Sequence, residues 1–157
     1  MLRIALVFLL VLVLSSCNTT VKQPEFPLKY DGSVCVTYNG TNYLADIEYS
    51  PGSMYLSLAE PEQLCGLSIE FTNDEVKVCR DSLELTYRYD FSETILPIRF
   101  AFEALEYLNS EKLEFILKDN LIYTQFSIEN KVCEVSLRKD SYKLVTLNYN
   151  GFSFEFQ

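Results

Sequence analysis

Twenty-two acidic side chains, thirteen basic ones, five cysteines and no histidine bound the chemistry open to this 157-residue chain. Without an imidazole there is no Ser-His-Asp or Cys-His activation of a nucleophile, and no metal site with a histidine ligand. Carboxylate pairs are the remaining acid–base candidates. Glu103 and Glu106 are one such pair, and two carboxylates at the right separation can hydrolyse a glycosidic bond. Their surroundings give a simpler reason for both: they sit in the polar stripe of an otherwise apolar helical stretch. No nucleophile motif accompanies them. The chain is therefore not expected to be an enzyme, and no cofactor or metal is implied.

Cys17 stands apart from the other cysteines. Arg3 supplies a positive charge near the start, and Ile4 to Leu14 is an apolar run of signal-peptide length. That run is shorter than the roughly 20 residues a membrane-crossing helix needs. Leu14-Ser15-Ser16-Cys17 resembles the bacterial lipobox, an apolar residue and two small ones before a cysteine. Small side chains let the extended peptide enter a signal peptidase cleft, and the cysteine sulfur takes a diacylglyceryl group. Cys17 is thus the lipidation site and the new N-terminus. Two acyl chains, at about 0.8 kcal/mol per buried methylene, make a stable anchor. No later stretch is apolar for long enough to be a second span.

Cys35, Cys65, Cys79 and Cys133 remain, and an exported chain with four cysteines permits two disulfides in any of three connectivities. Their positions argue against it. Cys133 shares an apolar face with Val135 and Leu137, while Cys35 and Cys79 fall on the more polar faces of their strands. Cys35 and Cys79 could bridge only if those strands are neighbours. Cys65 and Cys79 should be offset by several residues about Asn73-Asp74, too far for disulfide geometry. Free structural thiols are the expectation. A four-cysteine zinc site lacks any close C-x-x-C pair.

Cleavage before Cys17 leaves 141 residues carrying twelve basic and twenty-two acidic side chains, a net charge of −10. That length suits one domain with a substantial core. The acidic balance disfavours nucleic acid. It also disfavours electrostatic attachment to anionic headgroups, so the acyl anchor should hold alone. Twenty-one Phe and Tyr remain in this span and there is no Trp. Aromatic side chains favour pleated surfaces.

Asn18 to Lys29, with Pro24 and Pro27, reads as a tether. From Ser33 on, two-residue periodicity dominates. Asn39-Gly40 is a hairpin turn that sets Val36 opposite Tyr43 and Val34 opposite Ala45. Met54, Leu56 and Leu58 share a face, and Pro61 to Gly66 reads as one helical turn. Leu67, Ile69 and Phe71 meet Val76 and Val78 across Asn73-Asp74. Further strands carry Leu83, Leu85 and Tyr87, then Ile122, Phe126 and Ile128, then Cys133, Val135 and Leu137. Val145, Leu147 and Tyr149, then Phe152, Phe154 and Phe156, finish the series of about eleven strands. One interruption, residues 96–112, is helical. It is apolar or aromatic except for a narrow stripe of Arg99, Glu103, Glu106 and Ser110. Such a helix must be buried on most of its circumference. The fold class expected is mainly β with one central helix, a curved antiparallel sheet forming an incomplete barrel wrapped around that helix.

This outline resembles the LolA/LppX-like half-barrel lipoproteins, through the lipobox, the meander, Pro61 to Gly66 leading into Leu67-Ser68-Ile69-Glu70-Phe71, and the Leu96-Pro97 helix. It is also similar to small lipoproteins of Gram-positive bacteria. The resemblance covers residues 33–157 and implies non-covalent binding of acyl chains or a lipidated partner in a concave apolar cavity. It carries over no binding residue. One departure is the chain's own anchor, which fits a fixed role better than a shuttle. The organisation expected is a signal peptide over 1–16, a lipidated cysteine and tether over 17–32, and one half-barrel domain over 33–157. The expected function is a membrane-anchored bacterial lipoprotein on the extracytoplasmic side that binds lipid or another apolar ligand. The alternative is a structural or protein-interaction lipoprotein with no small ligand.

Overall fold

The structure is a computed structural model, and it describes residues 28–88, 96–110 and 112–157. Cys17 and the signal stretch lie outside the described residues. Among the described residues eleven strands form one antiparallel sheet that does not close into a barrel, accompanied by one helix. The strands are β1 (Tyr30–Tyr38), β2 (Thr41–Ser50), β3 (Ser53–Glu60), β4 (Leu67–Thr72), β5 (Glu75–Arg80), β6 (Leu83–Arg88), β7 (Ile116–Lys118), β8 (Leu121–Ile128), β9 (Lys131–Arg138), β10 (Leu144–Tyr149) and β11 (Phe152–Phe156). The helix α1 spans Leu96–Ser110, and a 3-10 turn covers Glu62–Leu64. β1 begins at Tyr30, ahead of the Ser33 start expected for the domain, and Leu28 before it is already buried.

Four of the hairpins turn on two residues that both have positive φ: Asn39-Gly40, Asp119-Asn120, Glu129-Asn130 and Asn150-Gly151. That is the type I′ geometry, whose twist matches the strands it joins. The Asn39-Gly40 turn sets Val36 against Tyr43 and Val34 against Ala45, as the sequence implied. Strand order is β6-β5-β4-β3-β2-β1-β11-β10-β9-β8-β7. The first and last strands therefore pair in mid-sheet, with Val34 opposite Phe156 and Val36 opposite Phe154. The two edges, β6 and β7, are consecutive in sequence, and the segment that joins them carries α1.

The alternation seen in sequence places one apolar row per strand on a common face. Val34, Ala45, Ile47, Met54, Leu56, Phe71, Ile122, Leu137, Leu147 and Phe154 are all buried on it. In β10 the pattern differs from simple alternation. The register slips between Leu144 and Thr146, so Val145 is a bulge residue and Leu144 takes the inward place beside Leu147 and Tyr149. Buried Ser136 meets Thr146 at 2.7 Å on the strand pair that carries the slip.

Ala101, Ala104, Leu105 and Leu108 on α1 are at most 1% exposed. Burying a leucine side chain contributes about 2 kcal/mol, and the alanines allow close approach. The flanks of α1 carry aromatic rings. Phe102 stacks on Phe71 of β4, Phe100 on Tyr149 of β10, and Tyr107 on Phe126 of β8, with centroids 6.0, 4.1 and 4.9 Å apart. At about 100° per residue, Phe102 points roughly 140° away from Tyr107 around the helix axis.

Candidate functional site

The polar stripe of α1 lies where the sequence put it. Arg99, Glu103 and Glu106 are half-buried and Ser110 is exposed. Together with Phe102 and Tyr107 they line an open groove of about 490 Å³, walled by Asn73 of the β4–β5 turn and Ile128 at the end of β8. Periodicity orders these side chains: residues spaced four, three and four apart fall on one helix face.

Two of the carboxylates are already committed. Arg99 donates from Nε to Glu103 Oε1 at 2.6 Å, a helical pair four residues apart. Glu106 Oε1 accepts from the Tyr49 hydroxyl at 2.8 Å and from the Gly52 amide at 2.9 Å. Asn109 extends the network. Its side-chain amide donates to the Tyr49 oxygen at 2.6 Å and to the Leu105 carbonyl at 3.1 Å, and its Oδ1 accepts from the Leu28 amide at 2.6 Å. Burial, and then the hydrogen bond to Glu106, push the Tyr49 phenol well above its ordinary range. It stays a neutral donor. Glu106 thus ties α1 to β2 and to the β2–β3 turn, and Glu103 faces a guanidinium. Neither arrangement leaves a carboxylate free to act as an isolated acid or base.

This network joins residues 54 to 81 positions apart, and sequence reading missed it. The available signal was Tyr49 itself, a core-facing aromatic with a polar tip on the row of Ala45 and Ile47. A buried phenol needs a partner.

The structure keeps the four cysteines beyond Cys17 apart, and all are free thiols. Cys35 lies on β1 and Cys79 on β5, with three strands between them. The neighbour condition for bridging is not met, and flat strand spacing alone would hold them about 19 Å apart. Cys79 pairs across with Ser68, three residues past Cys65. Cys133 is fully buried, and desolvation pushes its thiol up to about 11, which makes it a poor nucleophile. Among the described residues no cluster of three or more His, Cys, Asp or Glu is placed to hold a metal ion. No helix among them is long and apolar enough to cross a membrane.

Leu83 and Leu85 on edge strand β6 are 73% and 56% exposed. Leu85 lies opposite Val78, which lies opposite buried Ile69, so these leucines extend the core-facing side of the sheet outward. No protein-family model matches this chain, and no curated protein matches its sequence.

Proposed function

We propose that this chain is a bacterial lipoprotein, anchored through Cys17 on the extracytoplasmic side of the cell membrane. In this reading its sheet wraps α1 as an incomplete barrel and holds an acyl chain or another apolar molecule non-covalently. The observation that carries it is the groove. Asn73 and Ile128 line one space of about 490 Å³, although seven strand steps separate β4 from β8. In a flat sheet those strands would lie about 34 Å apart. A sheet bent around the helix brings them together, and the opposed ring contacts of Phe102 and Tyr107 agree with that curvature. The groove volume falls in the range of small-molecule sites, about 300 to 1,000 Å³. Its walls suit an amphiphile: rings and Ile128 for apolar matter, the Arg99–Glu103 pair and Ser110 for a polar head. The space beneath α1 is taken by the protein's own side chains, so the ligand belongs over the outer stripe and along the exposed leucines of β6.

The test is native mass spectrometry of the full-length protein released from membranes, looking for a non-covalent lipid beyond the anchor. Fluorescent fatty-acid titration of wild type and of a Leu83→Ser/Leu85→Ser variant complements it. A bound lipid, and weaker titration by the variant, support the reading. Absence of both adduct and titration sinks it.

A second reading, a protein-interaction lipoprotein, draws on one observation. Edge strand β6 is exposed from Leu83 to Thr86 and, among the described residues, presents an unpaired edge to which a partner strand could add. Crosslinking in cells that captures a protein through β6 would favour it over the ligand reading.

A further inference from the structure

The net charge of −9 hides an uneven distribution. The registers place the start of β1, the end of β11, the β7–β8 turn and the β9–β10 turn on one rim of the sheet. On two of those turns stand Lys118, Arg138, Lys139 and Lys143, all exposed and none in an ion pair among the described residues. Asp119 and Asp140 are the acidic members of the same turns. The turns are joined: the Lys139 amide donates to the Asn120 carbonyl at 3.3 Å. Between them Asn120, Arg138, Lys139 and Asp140 line a hollow of about 370 Å³. The β9–β10 turn is closed by Arg138 N to Lys143 O and Tyr142 N to Arg138 O, each 2.9 Å. It presents Tyr142 outward, 37% exposed and with φ at +53°. That backbone region favours glycine or asparagine, yet an aromatic ring is held there.

The tether arrives on this same rim. Leu28, buried and hydrogen-bonded to Asn109, leads directly into β1. From β1 to β10 is two strand steps and to β8 four, about 10 to 20 Å. Ten residues lie between Cys17 and Leu28, a span of at most about 40 Å. The far rim lies a further nine-residue strand away, about 30 Å. The chain leading from Cys17 therefore enters the domain on the rim that carries the basic turns.

We infer that the rim formed by the β7–β8 and β9–β10 turns docks on the anionic phospholipid headgroups of the membrane that carries the anchor. Lys118, Arg138, Lys139 and Lys143 meet lipid phosphates, and the Tyr142 ring sits at the interfacial level favoured by aromatic residues. Asp31, Glu48, Asp74 and Glu75 stand on the β1–β5 part of the same rim, so the contact is confined to the β7–β10 part. The acyl anchor supplies residence at the membrane, and the basic turns supply orientation. The whole-chain charge argues against headgroup attachment, but its placement permits it on this one edge. The inference rests on the anchored-lipoprotein reading for where the membrane lies.

The chain has no tryptophan, so Tyr142→Trp and Tyr38→Trp give single reporters on the near and far rims. Full-length lipidated protein is placed in equimolar phosphatidylcholine–phosphatidylglycerol vesicles doped with a lipid spin-labelled close to the headgroup. Quenching at position 142 should exceed that at position 38 by about twofold or more, and the difference should vanish in pure phosphatidylcholine. It should also vanish in a Lys118→Gln/Arg138→Gln/Lys139→Gln/Lys143→Gln background, whose fold is checked by circular dichroism. Equal quenching of the two reporters overturns the inference, as does a difference that survives the four substitutions. The intact mass reports the anchor separately. If Cys17 carries no acyl group, the same vesicles are mixed with the unlipidated full chain. Co-sedimentation that depends on the four cations then supports the rim, and its absence overturns it.

Discussion

Tyr49 on β2 donates its hydroxyl hydrogen to Glu106 on α1 across 2.8 Å, and the Gly52 amide donates to the same oxygen. One carboxylate therefore fixes the helix to two separate pieces of the sheet. Glu106→Ala leaves the phenol and the amide without that acceptor. A hydrogen bond to a charged group contributes about 1.5 to 3 kcal/mol. The half-exposed position puts the expected loss near the lower end, about 2 kcal/mol in urea unfolding. Glu106→Gln keeps an acceptor oxygen and should lose less than half as much. Equal losses for the two variants would show that the network does not hold the helix.

The buried thiol of Cys133 gives an alkaline signature. Its folded value of about 11 lies above the ordinary thiol value of 9.0 because burial disfavours the thiolate. Below pH 9 both folded and unfolded chains keep the proton. Between pH 9 and 11 the unfolded chain releases it and the folded chain does not, so stability falls as pH rises. The loss from this one group is about 2 kcal/mol over that window. Tyr49, also raised, extends the decline above pH 10. Cys133→Ala should lower stability at neutral pH and flatten the slope between pH 9 and 11. An unchanged slope in denaturant midpoints across that window would remove Cys133 as its source.

Thr124 presents the opposite case to Glu106. It sits in the inner row of β8 between Ile122 and Phe126, 4% exposed, and its hydroxyl has no hydrogen-bond partner among the described residues. Thr124→Val replaces an unpaired buried hydroxyl with a methyl of nearly the same shape. The expected gain is about 1 kcal/mol. Ser136→Ala, which breaks the 2.7 Å contact with Thr146, should lose a similar amount. Thermal or urea unfolding that shows both substitutions destabilising would mean Thr124 has a partner after all.

Local chemistry made the strands legible. Asn39-Gly40 set a register that the Val36–Tyr43 and Val34–Ala45 pairs reproduce, because turn type and side-chain alternation act within a few residues. The stripe of Arg99, Glu103, Glu106 and Ser110 followed from helical spacing for the same reason. What sequence left open depends on contacts between distant residues. Pairing of β1 with β11 joins the two ends of the fold, and no local pattern encodes it. The slip at Val145 was hidden because Val145, Leu147 and Tyr149 alternate correctly on paper, while Leu144 competes for the inward place. Lys118 and the residues 138–143 stand some twenty positions apart in sequence. Only the β8–β9 hairpin brings their turns together, so a whole-chain charge could not reveal a basic edge. The groove over α1 likewise needs Asn73 and Ile128 to line one space, which neither segment encodes by itself.

Cys17 precedes Leu28, the first of the described residues, so Cys17→Ala should remove lipid modification and leave the sheet and α1 unchanged. Circular dichroism and the urea midpoint of the mutant should match those of wild type, since the core among the described residues begins at Leu28. The change should be in location. Each acyl chain contributes about 0.8 kcal/mol per buried methylene, and the exposed cations of one rim cannot replace two such chains in neutral detergent. In a detergent phase-partitioning experiment wild type should enter the detergent phase and the mutant the aqueous phase. Labelled fatty acid supplied to growing cells should appear in wild type alone. Wild-type protein without label, or a mutant that still takes it up, would show that Cys17 is not the lipidated residue and that the anchor assignment is wrong.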